Sequence, residues 1–435
     1  MRVKIDSVIN KGLVAWLFFG LVFIFYTYPM GLSDYWWHMS SGRWIWENLS
    51  IPAIDYFTYT YPQDDELRRV VILKAYYLGQ LSFYFIYSLA GIWGLLIYKA
   101  VLLTVPLWLL WRYLCYKKVD PSVGLVLIAI LPFLFYRFDE LRAVVFSFIG
   151  VIAVLFLIEK FIDKLRSGEA TGIYYFLLPV TMLLWANLHR GFLIGWVLLA
   201  GYLFFETVRL IGSRNALDVS AYKKMLVVFS GSIFITLLNP NGLGPLIANF
   251  SELQGPFVNV IDEFFSLWKY ARLYGAEFLF YGCLAVSTLA GYFMLRSWRT
   301  INPVYPVLML GFIYQGFVTF RFSYFLAMMA LALAAPAYSE ASVQLRSKFP
   351  RLVSVMLLAV LMVLGYFGYH RTALIYGPWE KAYMPFGAVH YVQDERPPGN
   401  IFNVFEYGGY LGWKLYPDYK IFIDQRNLDY SVYEE

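Results

Sequence analysis

Apolar runs of helix-spanning length recur along this chain, and they constrain the fold more than any other feature. A bilayer core is crossed by about 20 mostly apolar residues in a helix. Eleven candidates meet or approach that length: 12–31, 92–114, 121–136, 142–162, 173–188, 192–212, 225–239, 277–296, 303–320, 322–339 and 352–369. In lipid each backbone group must bond within its own segment, which leaves helices as the spanning element for such runs. The first run lacks a cleavage pattern after it and is read as a retained helix. Only 15% of residues are charged and the mean hydropathy is +0.58, too little polar surface for a water-soluble globule. The expected fold is therefore an all-α polytopic membrane protein with about 11 transmembrane helices.

Basic residues set the expected orientation. Arg2, Lys4 and Lys11 precede the first run; Arg112, Lys117 and Lys118 follow the second. Lys160, Lys164 and Arg166 come next, then Arg209, Arg214, Lys223 and Lys224, then Arg296 and Arg299, then Arg346, Lys348 and Arg351. These clusters fall at every second connection. The N-terminus is expected to be cytoplasmic and the C-terminus external. The net charge of +6 is then a topology signal, and nucleic acid is excluded as a partner. Cys115 and Cys283 lie within apolar runs, which argues against a disulfide framework or a zinc site. Two larger external segments remain, a first outer loop at about 32–91 and a tail from 370 to 435. Both are rich in aromatic residues suited to the headgroup layer. Residues 76–90 read as an interfacial helix.

Unusual polar residues collect at the external ends of the runs. They are Asp34 and His38 after the first, and Arg137, Asp139, Glu140 and Arg142 between the third and fourth. Asn187, His189 and Arg190 follow the fifth, Asn239 and Asn241 end the seventh, and Arg321 separates the ninth from the tenth. Short loops hold these groups at the membrane surface, where an unpaired charge is costly. Singly, each arginine can snorkel to water. Jointly, arginines on one face suit a phosphate or pyrophosphate, and a neighbouring acid suits a general base. Asp34, His38 and His189 can also contribute to a divalent metal site bridging carboxylate and phosphate, although their spacing does not single one out. The chain has no Gly-rich phosphate loop and no Gly-x-Ser-x-Gly turn. The triplets at Asn48 and Asn249 match the glycan-acceptor pattern and receive no role.

Several short motifs, in order, resemble a branch of the GT-C superfamily of membrane glycosyltransferases. They are Asp34-Tyr35-Trp36-Trp37-His38, followed by Gly42 and Ile45; Pro52, Asp55, Phe57 and Thr58; Trp185-Ala186-Asn187-Leu188-His189, with Gly191 and Gly195; and Asn239-Pro240-Asn241-Gly242. In the tail they are Phe402-Asn403, Glu406, Gly408-Gly409-Tyr410-Leu411, Trp413 and Phe422-Ile423-Asp424-Gln425-Arg426. Many relatives carry His-Glu-Trp-x-x-x-Glu where this chain has Ala75-Tyr76-Tyr77-Leu78-Gly79-Gln80, and Asp-Gly-Arg where it has Asp424-Gln425-Arg426.

The resemblance implies a GT-C-like domain over 1–369 and an external α/β segment over 370–435, with strands at 400–405 and 420–424 around a helix at 409–416. Such a unit is too small to bury its own core and is expected to pack on the membrane part or to be shortened. The resemblance also implies transfer of a hexose or pentose from a polyprenyl-phosphate-linked donor to a hydroxyl of a lipid, glycan or protein at the external face, with inversion. Asp34 is the expected base and Asp55 a second candidate acid. His38, Arg137, Arg142, Asn187, His189, Arg190, Asn239 and Arg321 are the expected substrate contacts. Glu406, Asp424 and Arg426 are expected to be structural. Two other readings stay open: an inactive GT-C-like scaffold for envelope assembly, and a transporter of a lipid-linked substrate, the latter because of Lys99 in the second run; Glu206 lies toward the inner end of the sixth.

Overall fold

A computed structural model describes residues 11–60, 67–135, 140–212, 217–254, 261–380, 384–426 and 432. The helices are α1 Lys11–Phe25, α2 Tyr35–Asn48, α3 Leu67–Lys74, α4 Tyr77–Tyr116, α5 Pro121–Ile128, α6 Leu131–Leu134, α7 Val145–Ser167, α8 Tyr174–Leu188, α9 Leu193–Ile211 and α10 Val219–Phe234. They continue as α11 Gly244–Gln254, α12 Leu267–Leu273, α13 Glu277–Arg296, α14 Val304–Val318, α15 Ser323–Lys348, α16 Pro350–Arg371, α17 Ala373–Tyr376, α18 Phe386–Glu395 and α19 Gly408–Leu415. Seven of the helices among the described residues are long and apolar enough to cross a membrane. Four shorter apolar helices, Gly12–Phe25, Pro121–Leu134, Tyr174–Leu188 and Val304–Val318, coincide with further expected runs. The chain is an integral membrane protein of the all-helical class that its apolar runs announce.

α15 is the axis of the bundle. Every residue over 323–335 is buried, and most are Ala, Met or Leu. A helix apolar on all sides sits in the interior, and small side chains let its neighbours approach closely. By contrast α16 faces outward with Val355, Leu358 and Met362 exposed, as expected for a lipid-facing helix. The interfacial helix and the second span form one run, α4, interrupted at Gly91 (φ 58°, ψ −151°). A residue with a Cβ rarely adopts that conformation, so glycine sets the bend between them.

The first outer loop and the tail pack on each other. Trp36 of α2 stacks on Trp379 (5.6 Å) and meets Tyr410 of α19 edge-on (4.7 Å). The expected strands are reduced to single parallel bridges: among the described residues Ile421 pairs with Thr58 on one side and Ile401 on the other. A few residues of extended chain cannot build a sheet of their own, so the tail borrows backbone from the outer loop. A third outer segment lies between Asn239 and Glu277 and carries α11 and α12. It reaches the first loop through Asn241, whose Nδ2 donates to the Val71 carbonyl (3.1 Å).

Candidate functional site

Asp34 precedes the first turn of α2, where an acidic side chain usually caps the helix by accepting a backbone N–H. Here it makes no capping bond. Its Oδ2 instead accepts from Arg142 Nε (2.7 Å) and lies 2.6 Å from Nη2. The third nitrogen, Nη1, donates to Glu263, in the single 3-10 turn Asp262–Phe264. Arg142 thus joins two carboxylates from the first and third outer segments. Both bonds to Asp34 fall on Oδ2; Oδ1 has no partner among the described residues. Beside this bridge, Ser33 Oγ donates to Glu140 Oε2 (2.8 Å).

The two histidines flank the bridge. Trp185 Nε1–H donates to Ser147 Oγ (2.7 Å), and Ser147 lies 2.7 Å from His189 Nδ1. The Gly191 N–H also donates to Nδ1 (3.0 Å). With Nδ1 accepting, hydrogen-bond logic places the ring proton on Nε2. Trp185 can lie this close to α7 because residue 150 is glycine; a Cβ there would meet the indole at 2.4 Å. The Tyr76 ring stands 5.4 Å from both His38 and His189, and His38 also packs on Trp37 (3.6 Å) and Phe83 (5.6 Å). Four buried polar atoms here have no hydrogen-bond partner among the described residues: His38 Nδ1, Trp37 Nε1, Gln80 Oε1 and Asn187 Oδ1.

The charges at this locality act on one another. Burial holds His189 well below its ordinary imidazole value, helped by the charges of Arg190, Arg321 and Arg142. Burial does the same to His38, with Arg142 and Arg426 adding to it. Burial alone would raise the Glu263 carboxyl, but Arg142, Arg321 and Arg190 outweigh it and hold that group below its ordinary value. Opposite charges within a few ångströms favour the ionised acid. Arg321 packs over Phe264 (4.9 Å) and has no ion-pair partner among the described residues.

The remaining expected residues are placed as follows. Asp55 is fully buried; it receives Arg426 Nη1 (2.7 Å) and Nη2 (3.0 Å), and the Phe57 N–H. Arg426 Nε donates to both oxygens of Asp424 (2.8 Å each). This buried triad ties the outer loop to the tail. Asn239 is spent on local turn bonds to Thr236, Asn241 and Gly242. Asn187 Nδ2 donates to the Leu183 carbonyl (2.8 Å). Glu406 lies in the short turn before α19 and its carbonyl accepts from Gln425. Arg137 and Asp139 lie outside the described residues. Lys99 Nζ donates to the Tyr28 carbonyl (2.8 Å) and sits over the Tyr28 ring, and Glu206 pairs with Arg166 and Arg209. Sequence reasoning missed Glu263 and Ser147. The signal for the first was the long gap between the seventh and eighth runs; the second carried none.

Scanning protein-family models gives no match, and searching curated proteins gives none. Among solved structures the fold is similar to that of archaeal oligosaccharyltransferases. More particularly, it is similar to the oligosaccharyltransferase of Archaeoglobus fulgidus in its apo form. That likeness has a TM-score of 0.59 at 13% identity and covers 97% of this chain and 66% of that one. The same enzyme, AglB, in complex with an inhibitory peptide and a dolichol-phosphate gives 0.57 at 13% identity, covering 96% and 65%. Its complex with Zn and sulfate gives 0.53 at 12% identity, covering 95% and 62%. The chain thus spans just under two thirds of the length of these enzymes. A likeness at this identity establishes the fold. A metal fits poorly at the described residues: no group of three or more His, Cys, Asp or Glu stands together, and Asp34 and Glu263 share a guanidinium instead.

Proposed function

We propose that this chain is a glycosyltransferase that moves a hexose or pentose from a polyprenyl-phosphate carrier to an acceptor hydroxyl at the external membrane face. The observation that carries this reading is the convergence of Asp34, Arg142, Glu263, Arg190 and Arg321 at one end of an apolar helix bundle. The archaeal neighbour's dolichol-phosphate supports a lipid-linked donor, and its inhibitory peptide keeps a protein among the acceptors beside a lipid or a glycan. The resemblance to the GT-C branch supports an inner or plasma membrane, and the placement of the basic clusters supports a cytoplasmic N-terminus and an external tail.

In this mechanism Asp34 Oδ1 takes the acceptor proton as the hydroxyl oxygen attacks the anomeric carbon. The bond from that carbon to the phosphate oxygen breaks, polyprenyl phosphate leaves with the bonding pair, and the centre inverts. Arg142 fixes Asp34 through Oδ2 and leaves Oδ1 to act. Arg321 and Arg190 offset the charge that develops on the leaving phosphate. His38 and His189, neutral in this setting, orient the phosphate by hydrogen bonds. We assign Asp55 and Asn239 to architecture, since their polar atoms are already engaged. Lys99 is satisfied at a backbone carbonyl, so it gives the transporter reading no support.

The test is release of polyprenyl phosphate from a polyprenyl-phosphate-linked sugar by the purified chain in lipid. Asp34→Asn, which keeps an oxygen for Arg142, is expected to slow release by about 10²–10⁴-fold in protein that remains folded. Activity within tenfold of the parent would remove Asp34 as the base.

A further inference from the structure

The tail and the first outer loop enclose a cavity of about 530 Å³, walled by Asp55, Tyr56, Tyr59, Asn400, Asp418 and Lys420. This is within the size range of small-molecule sites. Its floor is closed chemically, because Asp55 is spent on Arg426, Thr58 and the Phe57 N–H. Its rim is not: Asn400, Asp418 and Lys420 are exposed, and their side chains have no partner among the described residues. Tyr56 is backed by the Trp44 ring (4.6 Å, 17° between planes), which holds its orientation. Tyr59 is 40% exposed and leans on Phe422 (5.9 Å).

The rim combines an acceptor carboxylate, an amide that both donates and accepts, a donor ammonium and two phenol rings. A sugar presents the matching set: hydroxyls that donate and accept, and a C–H face that packs on an aromatic ring. A phosphate would require excess positive charge, whereas Lys420 stands beside Asp418. An acyl chain would require continuous apolar walls, whereas Ile54, Pro417 and the two tyrosine rings stand among Asp55, Thr58, Asn400, Asp418 and Lys420.

We propose that this cleft is a saccharide subsite, holding uncharged sugar units next to the one transferred. This rests on the glycosyltransferase reading; the cleft is built from the same outer loop that carries Asp34 and from the tail that packs on α2 through Trp36 and Tyr410. The units can belong to the acceptor glycan or to a longer lipid-linked donor.

The first experiment measures binding to the full chain in lipid nanodiscs by saturation-transfer NMR, with maltotriose, mannotriose, chitotriose and a seven-residue peptide as probes. At least one saccharide should bind, about tenfold more weakly to Tyr59→Ala and to Asp418→Asn, and equally well to Asp34→Asn. Both cleft positions are exposed, so these variants are expected to fold. Absence of saccharide binding, binding indifferent to both cleft variants, or binding of the peptide alone would each overturn the proposal. This arm needs no turnover and stands apart from the failure or success of the transferase reading. In a turnover assay, a raised KM in Tyr59→Ala for longer lipid-linked donors assigns the units to the donor, and for glycan acceptors to the acceptor. Unchanged KM for both would overturn the subsite.

Discussion

Arg426→Met should loosen the tail from the first outer loop, and the structure sets the scale. The guanidinium bonds two carboxylates, Asp55 and Asp424, through contacts of 2.7–3.0 Å, and all three side chains are at most 4% exposed. Removing the cation leaves two buried acids facing each other without compensation. Breaking a buried ion pair in this way costs about 3–5 kcal/mol, and each 1.36 kcal/mol is a factor of ten in population, or roughly 2.2 to 3.7 decades here. The remaining ties, the Ile421 backbone pairing and the Trp36 contacts, act equally in parent and variant. Limited proteolysis of the tail reads the population of the opened form when reclosing outruns cleavage. The tail of the variant should therefore be cut about 100-fold faster or more. Arg426→Met combined with Asp55→Asn and Asp424→Asn should recover most of the loss, because no buried charge is then left unpaired. Cleavage of Arg426→Met within a few-fold of the parent would refute the claim that this triad holds the tail.

Two further outcomes follow from the geometry. Gly150→Ala places a Cβ 2.4 Å from the Trp185 ring; overpacking of about 1–3 kcal/mol should lower the thermal midpoint and weaken the Ser147–His189 contact. Gly231→Ala, with open space around it, should be neutral or stabilising, and equal effects of the two would contradict the packing argument. For pH, His38 and His189 have folded values depressed below 6.5 and Glu263 below 4.5. Groups depressed on folding contribute stability that is full above their unfolded values and lost as the pH falls below them. The thermal midpoint should therefore drop as pH falls below about 6.5, less steeply in His38→Gln, and then drop again below about 4.5. A midpoint that rises on acidification from pH 7 to 5.5 would exclude buried neutral imidazoles.

What was legible in the chain by itself is local. The apolar runs and their basic flanks depend on neighbouring residues, and the helices of the structure fall where those runs lie. That polar groups gather at one face was equally readable, since alternating runs alternate their ends. Partners were not readable. Arg142 reads as a phosphate contact from its place in a short loop, yet the structure commits it to Asp34 and to Glu263, more than 100 residues away on either side. Asp55 reads as an acid near the reaction centre, yet Arg426 claims it from the far end of the chain. That the tail is too small to stand alone was readable, yet which segment it packs on was not: Ile421 pairs with Ile401 of the tail on one side and with Thr58 of the outer loop on the other. Helix formation and membrane crossing are decided by residues within one run, where propensity and hydropathy act. Which charge meets which is decided by how the runs pack, because only the assembled bundle brings distant loops within bonding distance.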